Sequence, residues 1–164
     1  MIRLLACGAA CLALAAAPAA AAPPLIGLVV PGTSFGGLKL GMTSAQVLAK
    51  WGRDHGVCRG CKRRTWYFTY HHFQPEGAAV ELTHGRVSAL WTLWQPTGWR
   101  TSADLHIGDA ETAITDAYGP LIRANCLGYY VLSLPKGRTV TRFLVVDGKV
   151  WGFELEARSA PPCR

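Results

Sequence analysis

The amino-acid sequence predicts an α+β fold made of two tandem helix-plus-antiparallel-sheet repeats, with the helices packed on one face of the sheet. Three observations predict it. The stretch Gly37–Gly52 (GLKLGMTSAQVLAKWG) returns as Asp104–Gly119 (DLHIGDAETAITDAYG), with glycines matched at Gly41/Gly108 and Gly52/Gly119, and self-similarity of this kind sets an architecture. Each copy runs on into β-prone segments that end in a tight hairpin, around His84-Gly85 in the first and Asp147-Gly148 in the second. Half of the composition is hydrophobic, and roughly 140 residues after the leader are enough for one domain or two small ones. The expected organisation is a signal peptide over 1–22, a leader segment over 23–36, a first repeat over 37–98 and a second over 99–164.

Residues 1–22 carry one early cation, Arg3, then an alanine-rich apolar run ending in Ala19–Ala22; this is the pattern of a secretory signal peptide, so the chain is expected to be secreted, with no membrane attachment beyond that segment. Pro23–Gly36 reads as a leader, in which Leu25–Val30 forms a short strand on a sheet edge. Thr43 or Ser44 caps the first helix through a side-chain oxygen, Ala45, Val47, Leu48 and Trp51 give its apolar stripe, and Gly52 ends it. Arg53–Arg64 (RDHGVCRGCKRR) is a basic, cysteine-bearing loop. Thr65–Phe73 is rich in aromatic and β-branched residues and reads as a strand; Ala79–Thr83 and Arg86–Trp94 flank the first hairpin turn. Residues 96–103 read as the link between units. Asp109 is the expected cap of the second helix, whose stripe is Ala113, Ile114, Ala117 and Tyr118 before Gly119-Pro120 stops it. Tyr129–Leu134, Thr139–Val146 and Val150–Glu156 complete the second unit, the last two flanking an Asp-Gly pair, a strong short-range hairpin signal.

This doubled pattern, Gly37-Leu38, Leu40-Gly41-Met42-Thr43, Ala45, Val47 and Trp51-Gly52 followed by a hairpin, resembles the beta-lactamase inhibitor protein-like fold and the helix motif of the SmpA/OmlA outer-membrane assembly lipoproteins. The resemblance covers most of the mature chain. It implies helices on one face of an antiparallel sheet and an opposite, concave face that binds a partner protein. What it suggests is a binding or structural module, since a fold by itself does not carry an activity.

Cys58, Cys61, Cys126 and Cys163 remain after the leader, and an even number of cysteines in an oxidising compartment reads as disulfides. Repeat position argues for a short Cys58–Cys61 bridge with Cys126–Cys163; a pairing that crosses the units competes with it. The Cys58–Cys61 loop also fits an extracytoplasmic thiol oxidoreductase, because Arg59, Lys62, Arg63 and Arg64 would lower a thiol pKa. It fits a metal site as well, with His55, His71 or His72 as further ligands. The leading reading has no catalytic residues, no cofactor and no metal. It is a secreted, non-catalytic binding or structural module. Trp66, Tyr67, Tyr70, Trp91 and Trp94 would form an aromatic sheet face rimmed by Arg86, since aromatics bring large contact areas at little entropic cost. The formal charge of +7, or +6 without Arg3, reads first as a device for solubility and second as a sign of the partner, a protein or an acidic cell-envelope component. Nucleic acid is not expected, for no nucleic-acid motif occurs. Glu76, Glu81, Glu154 and Glu156 read as isolated, solvated carboxylates, and no nucleophile elbow, zinc-protease helix or phosphate loop is found.

Overall fold

The structure, a computed structural model, describes residues 26–68, 77–94 and 98–163. The signal-peptide segment, Tyr70, His71, His72 and Glu76 lie outside these residues. The elements are β1 (Ile26–Val30), β2 (Ser34–Phe35), α1 (Ser44–Trp51), β3 (Gly56–Val57), β4 (Arg64–Phe68), β5 (Gly77–Thr83), β6 (Arg86–Leu93), β7 (Gly98–Thr101), α2 (Glu111–Tyr118), β8 (Ile122–Asn125), β9 (Tyr130–Lys136), β10 (Thr139–Val146) and β11 (Lys149–Ala157). Two sheets form. One is an eight-stranded antiparallel sheet of order β3-β4-β5-β6-β11-β10-β9-β8, and the other is three-stranded, β2-β1-β7, with β1 and β7 parallel.

The expected α+β architecture of tandem repeats with helices packed on the sheet is corrected by this arrangement. Of the described residues 51% are in strands and 13% in helix, and each helix is only eight residues long. A helix start signal locates a helix without saying how much sheet it covers, and two turns cover little. Much of the layer over the sheet is instead the three-stranded sheet, built from segments that read as leader and link. β1 is its central strand, not an edge, and β7 lies where a link was expected.

The core lies between this layer and one face of the large sheet. Trp66 and Phe68 of β4, Val80 and Leu82 of β5, Leu90 of β6, Phe153 and Leu155 of β11 and Phe143 of β10 meet Val29, Phe35, Trp99, Val47, Trp51 and Ile114 from the other side. Trp51 sets its ring edge-on to Phe68 at 5.2 Å and to Trp99 at 5.9 Å, and Tyr118 stacks on Phe143 at 5.1 Å. Trp99 is fully buried because the backbone leaves it room: a Cβ on Gly27, its register partner, would stand 2.4 Å from the indole.

Local chemistry explains the ends of the helices. Thr43 caps α1 in a complete capping box with Gln46. Asp109 does not cap α2. Its carboxylate accepts the His106 backbone N–H, and Ala110 holds the cap position with no side-chain bond. Glu111, in the first turn, faces the positive end of the helix dipole instead. Both approach segments are pinned to a hairpin by like backbone bonds: Gly41 N–H to Val87 O and Val87 N–H to Met42 O in one, Gly108 N–H to Val150 O and Val150 N–H to Asp109 O in the other. The hairpin turns use His84-Gly85 (φ 51° and 72°) and Asp147-Gly148 (φ 49° and 70°), the left-handed pair that matches strand twist.

Candidate functional site: the outer face of the large sheet

Strand register assigns the face that points away from the core. One row runs Tyr67, Ala79, Trp91, Glu154, Arg142 and Ser133; a second runs Thr65, Glu81, Ala89, Glu156 and Val140; a third runs Leu93, Gly152, Leu144 and Val131. The face therefore carries a polar centre and an apolar end.

At the polar centre the Arg142 guanidinium is 3% exposed and lies between two carboxylates. Its Nη1 donates to Glu156 Oε1 and stands 3.5 Å from Glu154 Oε2, while Nη2 donates to the Ala160 carbonyl at 2.8 Å. Glu81, on β5 with β6 between it and the Glu156 strand, accepts from Arg63 at 3.1 Å. Glu154, Glu156 and Glu81 are buried, not solvated as their isolation in the sequence suggested. The cover is the C-terminal tail, which leaves β11 at Ala157 and is tied by Cys163 to Cys126 in the β8–β9 turn, so that it passes over Arg142. A cavity of about 350 Å3 beside it is lined by Cys61, Lys62, Arg63, Glu81, Glu156, Pro161 and Cys163. These charges are largely engaged with one another, which is how buried ions are tolerated.

The apolar end is a cleft of about 160 Å3 lined by Trp91, Leu93, Tyr129, Leu144 and Trp151. Trp151 also lines a wider groove with Trp94, Val146, Asp147, Lys149 and Val150. Trp94 is 49% exposed and sits at φ 50°, a left-handed conformation that a bulky side chain rarely adopts. Its N–H donates to the Trp151 carbonyl at 2.7 Å.

The structure distributes the expected binding residues unevenly. Trp91, buried at 6% exposure, and half-buried Tyr67 share the outer face, their rings 5.5 Å apart. Trp94 stands exposed at the end of β6. Trp66 faces the core at 3% exposure, under the His55 ring (4.4 Å) and the Arg64 guanidinium (5.2 Å). Arg86 opens β6 at the strand end opposite Trp94 and donates to the Gly41 carbonyl, so it does not rim the cleft. Sequence reasoning missed Tyr129, Leu144 and Trp151, because only the β6–β11 pairing brings them beside Trp91.

The cysteines are bonded Cys58–Cys61 and Cys126–Cys163. The first bond lies between β3 and β4, away from any helix N-terminus, so the helix dipole that depresses a reactive thiol is missing. Among the described residues no three His, Cys, Asp or Glu side chains come together as metal ligands, and no helix is long and apolar enough to cross a membrane.

No family model matches the chain, and no curated protein does. Two solved structures are similar in fold. An extracellular protein containing an SCP domain, from Bacillus anthracis strain Ames, is 10% identical with a TM-score of 0.53, over 73% of this chain and 44% of that one. A DUF4309-family protein, YjgB, from Bacillus subtilis is 13% identical with a TM-score of 0.50, over 71% of this chain and 78% of that one. This chain thus spans less than half the length of the first. Neither is described as beta-lactamase inhibitor-like or SmpA/OmlA-like. At these identities the likeness is one of fold; the two disulfides are compatible with an extracytoplasmic location.

Proposed function

We propose that this protein is a secreted, non-catalytic binding module that contacts a protein or cell-envelope partner through the aromatic cleft formed by Trp91, Trp94, Tyr129 and Trp151. The observation that carries this reading is Trp94. It is a large indole left half-exposed on a backbone conformation that disfavours it, and local strain of this kind concentrates at binding sites. The neighbouring rings extend it into one apolar patch, of the composition that dominates binding hot spots.

The test is co-sedimentation of the purified protein with washed envelopes of the producing cells, and with their detergent-solubilised proteins. Trp94→Ala and Trp151→Ala are each expected to weaken retention about tenfold or more while the fold is kept. Equal retention of wild type and both variants, or no retention of either, sinks the proposal.

A further inference from the structure

The twelve residues Arg53–Arg64 hold five cations, Arg53, Arg59, Lys62, Arg63 and Arg64, against one carboxylate, Asp54, a local excess of +4 out of the +7 of the whole chain. All five cations are exposed. Arg63 is neutralised by Glu81, and Arg64 lies over Trp66. The side chains of Arg53, Arg59 and Lys62 meet no carboxylate or hydrogen-bond acceptor among the described residues. Charges so crowded repel one another, and a chain relieves such repulsion most simply by leaving the loop slack. This loop is instead held. The Cys58–Cys61 bond closes its turn; Gly56 and Val57 pair with Tyr67 and Trp66 as strand β3; the Cys58 N–H donates to the Thr65 carbonyl; and the His55 ring packs on Trp66 and Phe68.

We propose that this braced loop is a binding site for a linear polyanion, a polymer carrying a phosphate group on each unit. The five cations are exposed, spread from Arg53 before β3 to Arg64 at the start of β4, and do not converge on buried donors, so a single small anion gains little there. The adjoining cavity sets Glu81 and Glu156 beside Lys62 and Arg63 in its lining, so its charges offset one another and it offers a small anion no net cationic pocket. A polymer engages several cations at once and gains by multivalency, and a braced loop loses little entropy on binding. Four of the five cations are arginines, whose planar fork suits phosphate oxygens. A bilayer fits less well, since Val57 is the only exposed large apolar side chain of the loop and interfacial binding needs an apolar face. Single-stranded nucleic acid gains most from exposed stacking rings, and of the described rings at the loop Trp66 is covered while His55 and Tyr67 are half-buried.

This site is separate from the aromatic cleft and does not rest on that reading. The experiment titrates the disulfide-bonded full chain with long-chain inorganic polyphosphate over a series of salt concentrations, beside vesicles of phosphatidylcholine with phosphatidylglycerol. Polyphosphate affinity should fall with salt at a logarithmic slope of about −2, the value for some three phosphates neutralised on a flexible strand. Arg59→Glu/Lys62→Glu should lower affinity about tenfold or more. Lys39→Glu/Arg138→Glu, which changes net charge equally at exposed positions elsewhere, should change it about threefold or less. Trp94→Ala should leave it unchanged. Equal losses in the two double variants would reduce the effect to net charge and overturn the site. Binding confined to the vesicles would overturn the polymer, and loss in Trp94→Ala would overturn the separate location.

Discussion

Arg142 shows how a single side chain can hold a face together. The guanidinium is buried between Glu154 and Glu156 and reaches the tail at Ala160, so its removal leaves carboxylates in a poorly solvated place with their main counter-charge gone. Arg142→Met is expected to cost about 3–5 kcal/mol of folding stability, read from urea titration at neutral pH; a loss no larger than that of an exposed arginine such as Arg138 would show that the carboxylates are held by other groups. Tyr130 offers a different handle. Burial, the hydrogen bond to Glu111 and the Glu111 charge push its hydroxyl up from 10.0 to about 12, against the pull of Arg123, whose guanidinium lies 3.6 Å from the ring centroid. The folded-state pKa lies above the unfolded one, so the unfolded chain loses its proton first as pH rises. The contribution of Tyr130 is therefore complete below about pH 10 and is lost as pH climbs toward about 12. Thermal melts through that window should fall more steeply for the wild type than for Tyr130→Phe; parallel slopes would mean that the hydroxyl is solvated.

Among the elements, the two central strands decide most. β6 and β11 join the halves of the large sheet, and at Gly152 they leave no room for a side chain: a Cβ there would stand 2.2 Å from the Thr92 carbonyl oxygen, a backbone atom that cannot swing away. Gly152→Ala is expected to destabilise by about 1–3 kcal/mol through overpacking, measured by chemical denaturation, whereas Gly148→Ala acts through strain at φ 70° and should leave the β6–β11 contact intact. A wild-type midpoint for Gly152→Ala would mean that the strands can part without penalty. β11 also carries a bulge at Trp151, between the Val145/Val150 and Leu144/Gly152 pairs. Counted outward from the Asp147-Gly148 turn without that extra residue, Arg142 would oppose Phe153. With it, Arg142 opposes Glu154, and Trp151 is left free to line both the cleft and the groove. One inserted residue thus sets the ion pair and aims the indole.

At the scale of the whole molecule, the disulfides do unequal jobs. Cys126–Cys163 closes a span of 37 residues and fastens the tail over the outer face, while Cys58–Cys61 closes a span of 3. Loop entropy alone assigns about 4 kcal/mol to the first and about 2 kcal/mol to the second. Cys126→Ser/Cys163→Ser should therefore lower the denaturation midpoint well beyond Cys58→Ser/Cys61→Ser; equal shifts would show that the tail adds nothing to global stability. The short bridge matters chiefly for the polyanion site, since it braces a loop whose charge sits at the outermost strands of the sheet.

The sequence by itself determined what nearest neighbours decide. The Asp-Gly and His-Gly turns follow from residues that tolerate positive φ, the start of α1 from a threonine three residues before a glutamine, and the strand segments from β-branched and aromatic runs. The basic character of Arg53–Arg64 is composition, and no fold could alter it. Tertiary structure decided whatever depends on partners distant in the chain. The leader and link became strands because β1 found β7, a pairing with no local signal, and that sheet took up covering that two short helices could not supply. Glu154 and Glu156 look solvated until a bulge turns Arg142 onto them and the tail closes above. Trp66 and Trp91 are alike as sequence, and strand parity alone does not say which face meets a second layer. The cleft draws Trp91 and Trp151 from the two halves of the chain, so it exists only once β6 and β11 have paired; until then its residues are separate aromatics with no surface in common.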